Sequence, residues 1–433
     1  MELLLDPAPN AAAAVSFWRH PAAWLREKNL GHGYWVFFSA AFFFDAGFAI
    51  YFFLFNLYLL DYRFNERAMG WIGGAMTLGS LVGTLPAGAL AQRFGLRPLL
   101  IVLFVTAPLV NAMRAVWIWE PAQIGLAFLA GLAMSSWGVC FLPGVARLTA
   151  EKNRTAGFSL IFSASVGTSM LGGIVCGYLR QWLGLAGFAM QPAEVKRFIL
   201  LISCAIAFLG LIPVLHLHFP SQPRGETAPE VQANRWGWLH AWKVNPFLWR
   251  FLPLMALWSG VLAAFTPFAN VYLSRDLHVQ MTQIGLIFST VQVLQLCAGL
   301  LTPFVFRALG LVRGISATQI LAAVVLGLMA GARNGQLAVV LYLTFSAAQW
   351  MSSPGLYNLL MNETPDTERS TAAAMTLFCN ALVASVATAG AGVLLTRFGY
   401  PPVLFALALV ALAIALLFRF LLSPPQQTQA ETR

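Results

Sequence analysis

Charged residues are scarce in this 433-residue chain, where Asp, Glu, Lys and Arg together make up 10% of the sequence. A soluble domain carries about 25%, so a water-exposed globule is excluded. Cysteine is also scarce. Its five copies, Cys140, Cys176, Cys204, Cys297 and Cys379, all fall inside apolar runs with no CxxC pair, which excludes a disulfide framework and a thiolate metal site. None of the six histidines, His20, His32, His216, His218, His240 and His278, lies in the middle of an apolar run, and the sequence has no Walker loop, HExxH, nucleophile elbow or clustered carboxylates. Direct ATP drive and hydrolytic chemistry therefore lack their residues, and neither a metal nor another cofactor is expected. The first 33 residues also lack the basic segment, short apolar stretch and small-residue cleavage site of a secretory signal. The first apolar run is thus expected to be a true span.

What remains is hydrophobic: 59% of residues are apolar, with a mean hydropathy of +0.73. Apolar runs of about 20 residues, each long enough to cross a hydrocarbon core of about 30 Å, recur along the whole length. Twelve are expected, with cores at 34–60, 68–91, 98–119, 122–147, 155–181, 197–217, 248–274, 281–305, 313–332, 336–361, 370–396 and 401–421. The fold class is therefore an all-α integral membrane protein. With both termini in the cytoplasm, about 17 of the 26 Lys and Arg fall on that side, the bias that orients membrane proteins. Arg180, Lys196 and Arg197 run against it. The net charge of +10 is thus read as topology rather than nucleic-acid binding, and a bacterial inner (cell) membrane is the expected location.

Shifting the chain by 214 or 215 residues reveals an internal repeat. "FNLYL" at 55–59 matches "ANVYL" at 269–273, pairing Asn56 with Asn270 and Tyr58 with Tyr272. Gly95 pairs with Gly310, Arg154 with Arg369, Gly177 with Gly392 and Gly184 with Gly399. Both halves open on a basic, Trp-rich segment, with Trp18 and Trp24 in one and Trp238 and Trp242 in the other. Such segments suit interfacial helices with indoles at headgroup depth. The expected plan is an N-terminal segment at 1–33, a six-helix bundle at 34–217, a Pro-rich polar linker with an interfacial helix at 218–247, a second bundle at 248–421 and a tail at 422–433. Parallel six-helix repeats of this kind serve transporters whose halves rock around a midplane site.

The loop "GALAQRFGLRP" at 88–98 matches the pattern G-x-x-x-D-R-x-G-R-R at Gly88, Arg93, Gly95 and Arg97. It departs from the pattern at Gln92, where an acid is usual, and at Leu96, where a base is usual. "PGVARLTAEKNRTAGFS" at 143–159 carries Pro143, Arg147 and Arg154, and its repeat mate carries Pro354 and Arg369. Through these loops, the helix count and the repeat, the whole chain resembles the major facilitator superfamily. The resemblance implies two pseudo-symmetric bundles and assigns Gly88, Gln92, Arg93, Gly95, Arg97, Arg147 and Arg154 to gating and conformational change. Gly88 is expected to let helices approach closely and Gly95 to make the tight turn. The neutral Gln92 implies a weaker latch than the family's acid. "GTSMLGGIVCG" at 167–177 does not meet the family's antiporter motif, and its glycines are expected to pack helices closely.

Asp45, in "FFFDAGFAIYFF", lies near the centre of the first run, where an ionised acid costs about 2.5–3.5 kcal/mol. Desolvation favours the neutral form of a carboxyl group, which brings proton exchange within reach of physiological pH, as coupling requires. The alternative is an Asp45 that bonds a neighbouring helix and never titrates. Its repeat mate is Ser259, so the charge is peculiar to one half. Asn56, eleven residues on and about 16 Å away along the helix, shares its face. The cavity is expected to take Phe48, Phe52, Asn56, Trp137, Asn270, Gln292, Gln349, Trp350 and Asn380, polar or aromatic residues within apolar runs. Arg114 is read either as a partner of Asp45 or, more simply, as an arginine snorkelling outward near Glu120.

The expected function is proton-coupled transport of a small organic, partly apolar molecule by a monomer, with protons, cargo and the lipid bilayer as its partners. Efflux is favoured because an acid among aromatic rings suits lipophilic or cationic compounds. The alternative is uptake of a nutrient or of a metabolite such as a siderophore; Arg147 in the cavity would support an anionic cargo. A membrane-embedded enzyme or a non-transporting sensor is a remote third reading, because it would need a catalytic cluster or an added soluble domain.

Overall fold

The computed structural model describes residues 30–185, 191–219, 246–332, 334–365 and 368–422. The segments holding Trp18, Trp24, Trp238 and Trp242 lie outside these residues, as do most of the linker and the tail. The first six helices are α1 His32–Asp61, α2 Glu66–Phe94, α3 Leu96–Val116, α4 Glu120–Leu148, α5 Glu151–Leu185 and α6 Pro192–Leu209, the last extended by a short turn Leu211–His216. The second six are α7 Pro246–Phe265, α8 Met281–Leu309, α9 Leu311–Gly331, α10 Gly335–Glu363, α11 Arg369–Phe398 and α12 Tyr400–Leu422. Eleven of these spans are long and apolar enough to cross a membrane. The other, α10, is 29 residues long, but Gln349, Ser352, Ser353 and Asn358 dilute its apolar stretch. Counted with α10, the twelve helices bring both described ends to one face, called here the terminus side.

Tight turns join successive helices where only glycine fits comfortably. Gly95 between α2 and α3, Gly310 between α8 and α9, and Gly399 between α11 and α12 have φ of +88°, +80° and +76°. A side chain there would suffer the Cβ–carbonyl crowding of the left-handed region. Gly95 and Gly310 are repeat mates, so one backbone solution serves both halves.

The halves meet along two seams related by the repeat: α2 packs against α11, and α5 against α8. A Cβ on Gly70 would stand 2.9 Å from the Cα of Gly392, and one on Gly285 would stand 3.1 Å from the Cα of Gly177. Under the 215-residue shift Gly70 becomes Gly285 and Gly177 becomes Gly392, so these are the same contact made twice. The hydroxyl bonds follow the same symmetry with the donor exchanged: Ser385 Oγ donates to the Gly74 carbonyl and Ser289 Oγ to the Met170 carbonyl, each at 2.7 Å. Small residues let backbones approach closely enough for dispersion and short hydrogen bonds to replace a hydrophobic driving force that lipid does not supply.

Helices α1 and α7 close the same region. Pro267 cannot continue the α-helical ladder, and α7 passes through a 3₁₀ turn at Thr266–Phe268, a short helix Ala269–Val271 and a π turn Tyr272–Asp276. Asn56 Nδ2 donates to the Pro267 carbonyl at 2.7 Å, and Asn270 Nδ2 to the Phe53 carbonyl at 3.0 Å. Arg275 Nη1 lies 2.9 Å from both carboxylate oxygens of Glu66, bridging the two halves. These links lie on the side away from the termini. Towards the terminus side the helices part: Leu85 on α2 and its repeat mate Leu300 on α8 are 79% and 68% exposed, and an added Cβ on Gly88 would meet nothing within 4 Å. The molecule is closed on the far side and open towards the terminus side.

A valine at Gly392 would drive into the Glu66 carbonyl and hold the far side apart. Spin labels at Arg63 and His278, exposed repeat mates in the far-side loops, are expected to separate to longer distances in Gly392→Val than in the native background. An unchanged distance distribution would contradict the seam as the closing element.

Candidate functional site

Asp45 stands about midway along α1, and its carboxylate takes a short hydrogen bond from Ser165 Oγ on α5. Both line a cavity of about 440 Å³ beneath the closed seams. Helix α1 contributes Phe44, Asp45, Phe48, Ala49, Phe52 and Phe53 to its wall. Positions 45, 48, 49 and 52 are the i, i+3, i+4 and i+7 stripe of one helix face. Met134 and Trp137 come from α4, Ser165 and Ser169 from α5, and Phe288 and Gln292 from α8 in the other half. Asp45 is the only titratable side chain in this wall.

The rings around the carboxylate are fixed by packing behind them. Phe44 lies 4.7 Å from both Phe48 and Trp137 and 5.0 Å from Phe104 between ring centroids. Phe37 stacks on the far face of Trp137 at 6.0 Å. Phe53 meets Phe288 across the halves at 5.3 Å. Such offset and edge contacts are worth about 0.5–1.5 kcal/mol each beyond area burial, so this wall is preorganised rather than assembled around cargo.

The structure brings together Asp45, Phe48, Phe52, Trp137 and Gln292, and it places the other expected cavity residues elsewhere. Asn56 and Asn270 are not in the wall, because each is spent on a carbonyl of the opposite half. Gln349 is buried on α10 without a partner for Oε1, and Asn380 on α11 likewise leaves Oδ1 unpartnered. Trp350 is 49% exposed and packs beside Gly299 of α8, so it does not mirror Trp137. Sequence reading missed Ser165, Ser169, Met134 and Phe288. The signal for the serines was the i, i+4 spacing of Ser165 and Ser169, which puts two hydroxyls on one face of α5.

The residues assigned to gating fall at the terminus side. Gly95 makes its turn, but Gly88 has open space around it and mediates no close approach in this conformation. The close approaches of α2 to its own half fall instead at Gly79 and Gly83, against α4. Arg97 Nη2 donates to the Leu215 carbonyl at 2.6 Å, ending α6 within its own half. Arg93 lies 5.2 Å over the ring of its neighbour Phe94. Gln92, Arg147 and Arg154 are exposed, and Arg147 is not in the cavity wall. Arg114 neither pairs with Asp45 nor snorkels. It is 2% exposed inside the first half, donating to Asn111 Oδ1 at 3.0 Å and lying 4.2 Å over the Phe55 ring. Of the α5 glycines, Gly173 and Gly177 pack closely against α8 at the seam and Gly172 touches α1, whereas an added Cβ on Gly167 would meet nothing within 4 Å.

The sequence profile of the Major Facilitator Superfamily matches residues 37–388 and again 272–433. The chain belongs to that superfamily. No curated protein sequence matches the chain. The fold of this major facilitator protein is similar to the crystal structure of the nucleoside transporter NupG, with a TM-score of 0.76 at 15% identity over 91% of this chain and 100% of that one. It is also similar to a D-xylose–proton symporter (TM-score 0.69, 15% identity, 88% and 95% coverage). A third similar structure is a bacterial homologue of the human lysosomal transporter Spinster in an inward-facing, unoccupied conformation (0.71, 11%, 90% and 97%). At these identities the likeness concerns the fold. The cavity is this chain's own.

Phe104 is fully buried and holds both Phe44 and Trp137. Phe104→Ala should cost roughly 3–5 kcal/mol and lower the thermal unfolding midpoint in detergent. A midpoint equal to native would contradict the packed-wall description.

Proposed function

We propose that this superfamily member moves a small organic, partly apolar molecule by alternating access, with movement coupled to protons through Asp45. The observation that carries the proposal is the position of Asp45: one carboxylate, alone in its titratable chemistry, in an aromatic cavity at mid-depth between halves that are closed on one side. A group so placed exchanges protons with whichever side the cavity faces. Its charge then alters the cost of closing the halves around it. The whole route lies between the two halves of a single chain, so a monomer suffices.

Export is the favoured direction, since an acid ringed by Phe44, Phe48, Phe52 and Trp137 suits lipophilic cargo. Uptake of an anionic nutrient loses its support from the sequence, because Arg147 does not line the cavity.

The test is flux in proteoliposomes under an imposed pH gradient, across a substrate panel that spans cationic, neutral and anionic organic compounds. Native protein is expected to accumulate cargo against its gradient when the pH gradient is present. Asp45→Asn is expected to lose that accumulation while retaining downhill exchange. Unchanged pH-driven accumulation in Asp45→Asn would overturn the assignment of coupling to this residue.

A further inference from the structure

The composition of the cavity wall constrains the cargo more closely than the fold does. Twelve residues line it, and besides the indole N–H of Trp137 only Asp45, Ser165, Ser169 and Gln292 bring polar side-chain groups. No lysine, arginine or histidine is present. An anionic cargo would face the Asp45 carboxylate with no counter-charge, and a polyhydroxylated cargo would leave most of its hydroxyls facing rings. Five phenylalanines and Trp137 supply apolar surface and negative ring faces, which attract cations when desolvated. A pocket of this volume falls within the range that encloses a drug-sized molecule.

Resting on the reading of Asp45 as the coupling residue, we propose that the cargo is an organic monocation with an aromatic or lipophilic body, and that cargo and proton occupy Asp45 in alternation. In the empty cavity Asp45 holds a proton on one oxygen while the other accepts the Ser165 hydroxyl. An arriving cation takes the carboxylate, with Phe44, Phe48 and Trp137 around its charge, and a proton resident on Asp45 is released to the open side. On the opposite side a proton arrives, neutralises the carboxylate and frees the cation. One proton moves against one monocation in each cycle, so no net charge crosses the membrane. Asp45 is the only ionisable group on any of the four helices that build the wall to line it: α1 otherwise presents rings and Ala49, α4 Met134 and Trp137, α5 two serines, and α8 Phe288 and Gln292. No second acid is available there to hold proton and cation together.

The decisive comparison uses two ions of the same shape and opposite charge, tetraphenylphosphonium and tetraphenylborate, on the full-length protein in detergent. The phosphonium is expected to bind saturably and to release about one proton per cation at a pH where Asp45 is protonated. Its affinity should fall at least about tenfold in Asp45→Asn and recover in Asp45→Glu. The borate should not displace it. Displacement by borate with equal potency, phosphonium affinity unchanged in Asp45→Asn, or absence of saturable phosphonium binding would each overturn the cation assignment. The two readings separate cleanly. If Asp45-dependent, pH-driven flux persists for neutral compounds while the phosphonium fails to bind, coupling at Asp45 stands and the cargo class falls. If pH-driven flux is insensitive to Asp45→Asn, both fall.

Discussion

A single carboxylate in a medium that does not solvate it is the constraint on which the rest of this structure depends. Asp45 has one side-chain donor, Ser165, and a surround of rings. An ionised acid so placed is expensive, and a proton or a cation relieves the expense. The same imbalance that would be a fault in a soluble core is what the proposed coupling draws on, since on that reading either occupant changes the charge that the closing halves must enclose. Rigidity matters as much as polarity. The rings are held from behind by Phe37 and Phe104, so the wall does not collapse onto the acid.

The scaffold contributes a symmetric way of closing around that asymmetric charge. Repeat-related glycines meet twice, Gly70 with Gly392 and Gly285 with Gly177, and repeat-related asparagines each donate to a carbonyl of the other half. Bonds of this kind can part and re-form without moving a charge through lipid. The Glu66–Arg275 pair is the charged member of the far-side closure. It sits on the rim, where Arg275 is half-exposed and water can take over its solvation. Charge in the closing apparatus is thus confined to the rim, while the interior of each seam is built from backbone, hydroxyls and glycine.

Much of the fold was legible in the sequence because membrane helices declare themselves by run length and the repeat declares the symmetry. Gly95 is recognisable as a turn from its place between two apolar runs, and the stripe from Asp45 to Phe52 follows from helical spacing alone. The outcome at Asn56 and Asn270 shows where such reading stops. Periodicity puts Asn56 on the face of Asp45, but the Pro267 carbonyl in the irregular turn that follows α7 claims it, and that turn belongs to the other half of the chain. Trp350 was misplaced for a related reason: the 215-residue shift takes Trp137 to Ser352, two residues further on, so Trp350 lies on a different face of its helix, while Trp137 is held by Phe37, Phe44 and Phe104. Arg114 shows the converse error. Its nearest acid in sequence, Glu120, suggested an outward path, whereas Asn111 and the Phe55 ring hold the guanidinium inside.

The central claim is that Asp45 changes its protonation state as the protein works. Infrared difference spectroscopy of the reconstituted protein reads this directly, through the carbonyl stretch of a protonated carboxylic acid. The account predicts such a band in native protein, absent from Asp45→Asn, that disappears as pH rises across the interval in which pH-driven flux changes. A carboxyl group that stays ionised, or stays protonated, throughout that interval would contradict it.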